Sequence, residues 1–458
     1  MSLTRREFLA SGVVMAWCGQ FSVVEAEEGV IEMRARKVQL GLMEGGAGAA
    51  EGFLFGDGPA PAVVRARQGE PLALRFVNEL DAEIWLHFFG VRGPSDLMTI
   101  NVPPGADHAV DCRFTPPDAG TFWIGPVSDV SRLRDMGLYA MLVVAEASAM
   151  PELADLPLVM DDWKLTDAGA ITNGFGDVEA MVGEGRLGNW FTVNNGFRPQ
   201  MPLLAGVFTR LRLLNAANVR SMGVLFKGHD PLLLARDGQP VKPRPLGSKA
   251  LLLAPGQRAD LLVGPESGDI VVALDLFEDV VEIAYLNRGG QSVVATIADN
   301  FALPDNPVPR PQFTADARTV ALVIEGGIKG GLQSAIFAGR VMDLRTLLEH
   351  GKGWALNGVA GPAAEPLFTA TRGETVVLTV ENRTAFTQAL HIHGHAWQLP
   401  AGEGEDPAVS DAAVIGPGQS RKLAFVADNP GTWAIHSLHA ERCDGGMIGA
   451  FVVQDAQL

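Results

Sequence analysis

Three stretches share one frame: Gly69-Glu-Pro-Leu-Ala-Leu-Arg-Phe-Val-Asn78, Gly206-Val-Phe-Thr-Arg-Leu-Arg-Leu-Leu-Asn215 and Gly373-Glu-Thr-Val-Val-Leu-Thr-Val-Glu-Asn382. Each opens on glycine, closes on asparagine nine residues later, and carries the alternation of a half-buried strand. Working outward, each is preceded by another short alternating strand. Each is followed by a Pro-Gly turn that feeds one more strand: Pro104-Gly105, Pro255-Gly256 and Pro417-Gly418. Gly120-Thr-Phe-Trp123 in the first copy is answered by Gly431-Thr-Trp433 in the third. Short strands with regular turn signals indicate β-sandwiches, and the recurrence indicates one unit used three times.

The length, 458 residues, accommodates three units of roughly 140 residues each. The predicted domains run 27–145, 152–299 and 313–458. Between the second and third, Pro304-Asp-Asn-Pro-Val-Pro-Arg-Pro311 reads as an extended, stiff linker. Helical signals are few: Asp177 to Gly185 and Met342 to His350 each suit a short helix outside the sandwich cores. Apolar residues make up 47% of the chain, enough for sizeable cores. A net charge of −17 argues against nucleic acid and anionic membrane surfaces as partners.

Residues 1–26 read as an export leader. Thr4-Arg5-Arg6-Glu7-Phe8-Leu9 pairs two arginines with a hydrophobic step, an apolar run follows to Cys18, and Val24-Glu25-Ala26 offers small residues for cleavage. This is the pattern of a twin-arginine (Tat) signal, so the Tat export machinery is a predicted partner and the periplasm the predicted location. The apolar run falls far short of the roughly 20 residues needed to span a bilayer, and no later segment is long enough, so no stable membrane insertion is predicted. Cys112 and Cys443 remain after the leader; they read as two small buried thiols, with pairing in an oxidising compartment as the alternative.

Nine histidines are present, and five of them fall in Leu390-His-Ile-His-Gly-His-Ala-Trp397 and Trp433-Ala-Ile-His-Ser-Leu-His439. On a strand, His391, His393 and His395 point to one face. Imidazoles in such a row suit copper, zinc, iron or nickel; the alternative is a polar strand face at a domain contact. His108, His229 and His350 stand alone and receive no role.

Three sandwiches, histidine strands in the first and last, and a twin-arginine leader together resemble the multicopper oxidases. So do Leu253-Ala-Pro-Gly-Gln-Arg-Ala-Asp-Leu-Leu262 and Trp354-Ala-Leu-Asn-Gly358. The resemblance implies an all-β fold of three cupredoxin-like Greek-key β-sandwich domains. It also implies four coppers: a type 1 site of Cys, two His and an axial Met, and a trinuclear cluster of eight His between domains one and three. Matched position by position, the ligand set is incomplete. His87-Phe88-Phe89 keeps one cluster ligand, and Gly125-Pro126-Val127 keeps none. Gln388-Ala-Leu-His391-Ile-His393 keeps both cluster ligands and replaces a type 1 histidine with Gln388. His436-Ser437-Leu438 keeps one, with Ser437 at the type 1 cysteine. Arg442 stands at the second type 1 histidine, and the axial Met447 remains.

By this resemblance His87 and His391 correspond to the whole protein ligand set of the type 2 copper, and His393 and His436 to two ligands of one type 3 copper. The other type 3 copper falls on Phe89, Gly125 and Leu438. His395 and His439 lie outside the ligand positions. Gln, Ser and Arg do not replace a thiolate and two imidazoles for copper, and Arg brings a permanent positive charge. The full four-copper complement and multicopper oxidase activity are therefore not expected. The expected function is that of a non-oxidase periplasmic scaffold or interaction protein with an unidentified protein partner. This follows the example of an exported, copper-free relative that serves cell division. The alternative is a copper-handling protein or oxidoreductase with one copper or zinc ion held among His87, His391, His393 and His436.

Overall fold

The computed structural model describes residues 26–456, apart from 28, 49, 152, 266, 277–278, 290–296, 299, 315–316 and 399–407. The predicted leader up to residue 25, and Cys18 with it, lies outside the described residues. Within them no helix is long and apolar enough to cross a membrane.

Three β-sandwiches follow one another. In each, the repeated Gly-to-Asn stretch becomes a strand lying parallel to the first long strand of its unit. Leu72–Asn78 pairs with Val30–Leu40, Thr209–Asn215 with Ala154–Trp163, and Thr375–Asn382 with Arg318–Gly326. The recurring asparagine has one physical task. Each is fully buried. Asn382 Nδ2 donates to Phe386 O and Ile415 O, and its Oδ1 accepts from Thr384 N–H. Asn78 and Asn215 make the same three kinds of bond. One amide thus closes an Asx turn and ties the strand's end to a neighbouring strand, leaving little buried backbone unpaired. The Pro-Gly turns carry glycines at φ +107°, +73° and +65°, a backbone region that glycine enters without strain.

The opposite sheets of the first and third units match strand for strand. In the first, the order is Ala62–Arg67, Ala140–Ala145, Gly120–Pro126, Ile84–Phe89, Thr99–Val102. In the third it is Thr369–Thr371, Ile448–Gln454, Gly431–Ser437, Gln388–Ile392, Ala412–Ile415. The strands of His87 and His391 therefore hold equivalent places in two copies of one sheet.

Both anticipated helices form, as Val178–Val182 and Leu344–Glu349, each capped by an aspartate: Asp177 accepts from Ala180 N–H and Asp343 from Thr346 N–H. Among the described residues three further short α-helices were not anticipated, Ser95–Met98, Val130–Asp135 and Ala440–Asp444, nor was the 3-10 turn Glu44–Gly46. The α-helices Val130–Asp135 and Ala440–Asp444 form a clamp between the outer units. Asp444 accepts from Val130 N–H (3.0 Å) and Ser131 N–H (2.8 Å), and Asn218 of the middle unit donates to Ser131 O and Glu441 Oε1. Such helices hold one or two turns, too short for a 3.6-residue apolar period to register in sequence. Residues 301–314 adopt neither helix nor strand. The linker is fastened rather than loose: Asn306 bonds both the N–H and the C=O of Ala119, and Pro307 O accepts from Arg92. Cys112 and Cys443 are free, buried thiols.

Candidate metal centre

The sheets of the outer units bring four imidazoles together. His87, on Ile84–Phe89, lies across from Gly125 in its sheet, and His391, on Gln388–Ile392, lies across from His436. Four equivalent cross-strand positions thus hold three histidines and one glycine. His393 follows directly after its strand and stacks on His87, centroids 3.5 Å apart, while His436 lies 4.9 Å from His393 and 5.5 Å from His391. All four side chains are buried. One ligand nitrogen from each of His87, His391 and His393 lies within 4.8 Å of the others.

The row of three along residues 391–395 needs correction. The strand ends at Ile392, and Gly394 turns the chain with φ +64°. His395 is thereby sent into the sandwich of its own unit, beside Phe425, Trp433 and Phe451. His439 lies after the Gly431–Ser437 strand, at the start of the Ala440–Asp444 helix, and does not join the centre.

Outer contacts orient the rings. His391 Nδ1 faces Asp411, 2.8 Å from its Oδ2 and 3.0 Å from its backbone O. His87 Nδ1 lies 3.0 Å from Thr99 Oγ1, and His436 Nδ1 lies 2.8 Å from Ser437 O and 3.6 Å from Cys443 Sγ. Three of the four rings thus spend Nδ1 outward. Inside, His87 Nε2 and His391 Nε2 stand 3.3 Å apart. Two ligands bound at 2.0–2.1 Å to one tetrahedral ion are separated by about 3.3–3.4 Å, so this spacing fits a shared ion. If Thr99 accepts from His87 Nδ1, two lone pairs face each other and only a cation joins them. If Thr99 donates, His87 Nε2–H can bond His391 without an ion. Neither arrangement supplies a partner for His393 Nε2 or His436 Nε2, both buried and unpartnered among the described residues. The residues present fit a metal ion.

Burial keeps His87, His393 and His436 neutral, the form that binds metal. It pushes His436 down to about 3, and holds His87 and His393 well below the ordinary imidazole range, helped by the neighbouring rings. Burial alone would raise the Asp411 carboxyl, but Arg258 beside it, with His391, brings it below the usual range.

The other half of the cluster region is apolar. Phe89 stacks on Trp123 at 3.7 Å and 10°, and the indole lies so closely over Gly125 that a Cβ there would overlap it. Leu438 joins them, with Val127 half-buried at the edge; Tyr139, Val159, Leu214 and Ala254 complete a cluster drawn from all three units. At the positions that the resemblance sets at a type 1 copper, Arg442 Nη1 donates to Gln388 Oε1 (2.9 Å) and Thr387 O (2.6 Å). Its guanidinium lies 5.1 Å from the centroids of both Trp354 and Phe386. Burial lowers Arg442 to about 10, so it remains a cation at neutral pH. Ser437 Oγ accepts from His439 N–H, and Met447 is packed in the core with its N–H on Arg442 O.

Sequence reading missed Asp411, Thr99 and Trp123 as shapers of the centre. For Asp411 a signal existed: it is the one acid in the apolar run from Ala408 to Ile415.

Fold and site define the class first: a three-domain, cupredoxin-like all-β protein with a histidine centre between its outer domains. Family models described as multicopper oxidase match residues 156–272 and 339–457, together just over half of the chain, and the chain belongs to that family. It is 26% identical to the multicopper oxidase MmcO of Mycobacterium tuberculosis, over 94% of this chain and 93% of MmcO. It is 25% identical to the cell division protein FtsP of Escherichia coli, over 85% of this chain and 83% of FtsP. The crystal structure of a multi-copper oxidase from Pseudomonas thermotolerans superposes with a TM-score of 0.76 at 27% identity, covering 93% of this chain and 99% of that one.

Proposed function

We propose that the protein is an exported, periplasmic member of the multicopper oxidase family that binds a single copper or zinc ion and does not act as a four-copper oxidase. The observation that carries this reading is the pair of buried, unpartnered Nε2 atoms on His393 and His436 beside the 3.3 Å His87–His391 pair. Such atoms are costly unless something accepts their lone pairs. When bound, the ion supplies a Lewis-acidic centre or, for copper, a one-electron couple. The chain's own part is to present neutral imidazoles on two rigid sheets. Loss of the type 1 site is supported by the Arg442–Gln388 pair, because a buried guanidinium repels a metal cation. Phe89, Trp123 and Leu438 support the absence of the second type 3 copper.

A second reading keeps the fold and drops the metal: a scaffold working through a periplasmic protein partner. It is favoured by the similarity to FtsP and by the alternative in which His87 donates directly to His391.

Elemental analysis decides between them. The mature protein is loaded with copper or, separately, zinc and dialysed. The expected result is about one ion per chain, abolished by His391→Ala. No retained ion leaves the scaffold reading, to be pursued by crosslinking in the periplasm; four coppers with intense blue colour would falsify the assignment of lost sites.

A further inference from the structure

The middle domain contributes no imidazole to the centre, yet one of its side chains reaches it. Arg258, at the start of the strand Arg258–Val263, is buried with its guanidinium between the outer domains. Nη2 donates to Asp411 Oδ1 (2.6 Å), Nη1 to Asp411 Oδ2 (3.2 Å) and Gly256 O (3.0 Å), and Nε to Thr121 O of the first domain (3.3 Å). Behind it, Asp237 Oδ1 accepts from Arg258 N–H (2.9 Å), while Asp237 Oδ2 accepts from Ser410 Oγ–H (2.6 Å). Asp411 Oδ2, held by this fork, is the same oxygen that faces His391 Nδ1 at 2.8 Å. Gly90, three residues after His87, has φ +83°, and a Cβ there would overlap Arg258 Nη2. The turn after the first histidine strand therefore leaves room for this guanidinium.

We infer that Arg258 is a positioning residue of the histidine centre: its two-pronged grip orients the Asp411 carboxylate, which holds His391 as the Nδ1–H tautomer with Nε2 aimed at His87. The inference rests on the single-ion reading for its consequence, but its geometry stands without an ion. A planar fork matches a carboxylate through two parallel bonds, whereas an ammonium grips it as a point charge, so Arg and Lys are not equivalent at such a place. Partners that orient a metal-ligating histidine typically matter 10- to 100-fold in metal affinity.

The test uses the full mature chain, metal-free, with ¹⁵N-labelled histidine. Two-bond nitrogen–proton correlations report which nitrogen of His391 carries the proton. Wild type is expected to show Nδ1–H. Arg258→Gln is expected to show Nε2–H or a mixture, and Arg258→Lys to resemble it although it keeps the charge. Copper and zinc affinities, from competition with a chelator, are expected to weaken about 10- to 100-fold in both variants. An unchanged Nδ1–H tautomer in Arg258→Gln overturns the inference, because the Asp411 backbone O would then suffice. If Arg258→Gln does not fold, Arg258→Lys carries the test alone; full Nδ1–H character and wild-type affinity there overturn it equally. Should wild type retain no ion, the single-ion reading fails, while the tautomer measurement still decides the role of Arg258.

Discussion

The two halves of the space between the outer domains share strands, His87 and Phe89 both lying on Ile84–Phe89, yet have opposite chemistry. On one side a ligand nitrogen from each of His87, His391 and His393 lies within 4.8 Å of the others, and the His436 ring packs 4.9 Å from that of His393. On the other, Phe89, Trp123 and Leu438 form an apolar plug continuous with a cluster from all three domains. The apolar half contributes stability, since burying aromatic surface is favourable, and leaves one buried polar atom unpartnered, the Trp123 Nε1–H. The histidine half does the reverse: it buries nitrogens that want a partner. Stability and binding capacity have been divided between two regions a ring or two apart.

Breaking the apolar half should have the largest effect. Trp123→Ala removes a fully buried indole stacked on Phe89 and lying over Gly125. It is expected to cost about 3–5 kcal/mol, read as a lower denaturant midpoint. A midpoint within error of wild type would sink the plug description.

Away from the histidine centre, Gln388→Leu leaves the Arg442 guanidinium short of an acceptor in a buried setting. The expected cost is about 1–3 kcal/mol by denaturant unfolding, with bound metal unchanged. A change in metal content instead would mean that this region communicates with the histidines.

Acid separates the buried histidines, inside and outside the centre, from the clamp that joins the outer domains. Burial pushes His395 down to about 4 and His436 to about 3, with His87, His393 and His439 also held low. These rings stay neutral in the folded chain, while unfolded imidazoles take up protons below about 6.5. Their contribution is lost as pH falls below that value, at about 1.4 kcal/mol per pH unit for each ring. Asp444 in the clamp behaves oppositely. Burial raises it to about 6, so the folded chain binds its proton first, and stability is lost as pH rises through about 6. Between pH 7 and 5, His395→Phe is therefore expected to lessen the loss of stability on acidification by about 2 kcal/mol, and Asp444→Asn to deepen it by about 1 kcal/mol. Denaturant titrations at the two pH values check both signs; shifts in the same direction would refute the contrast.

The smallest effect is expected from His395 on metal. His395→Phe should leave ion content at the wild-type level, because that ring sits among Phe425, Trp433 and Phe451 rather than at the centre. Loss of the ion in this variant would restore the row of three that the sequence suggested.

Much of the fold was legible because its signals are local and repeat. The Gly-to-Asn frame recurs three times, and each asparagine does the same work within a few tens of residues of itself. The two capped helices were legible for the same reason. The histidine pairing was legible only through resemblance, since no spacing in one chain reports that residue 87 meets residue 391. His395 misled because alternation presumes that a strand continues, and Gly394 ends it.

By itself, then, the sequence determined the three-fold β-sandwich repeat and the strands that bear histidine, while ligand positions were read only through the resemblance. The tertiary structure alone decided which imidazoles share one centre, that Trp123 covers Gly125, and that Arg258 of the middle domain reaches Asp411 behind His391. The physical reason is range. Strand alternation and turn chemistry act over a few residues, whereas a buried lone pair finds its partner only after distant sheets have packed and excluded water.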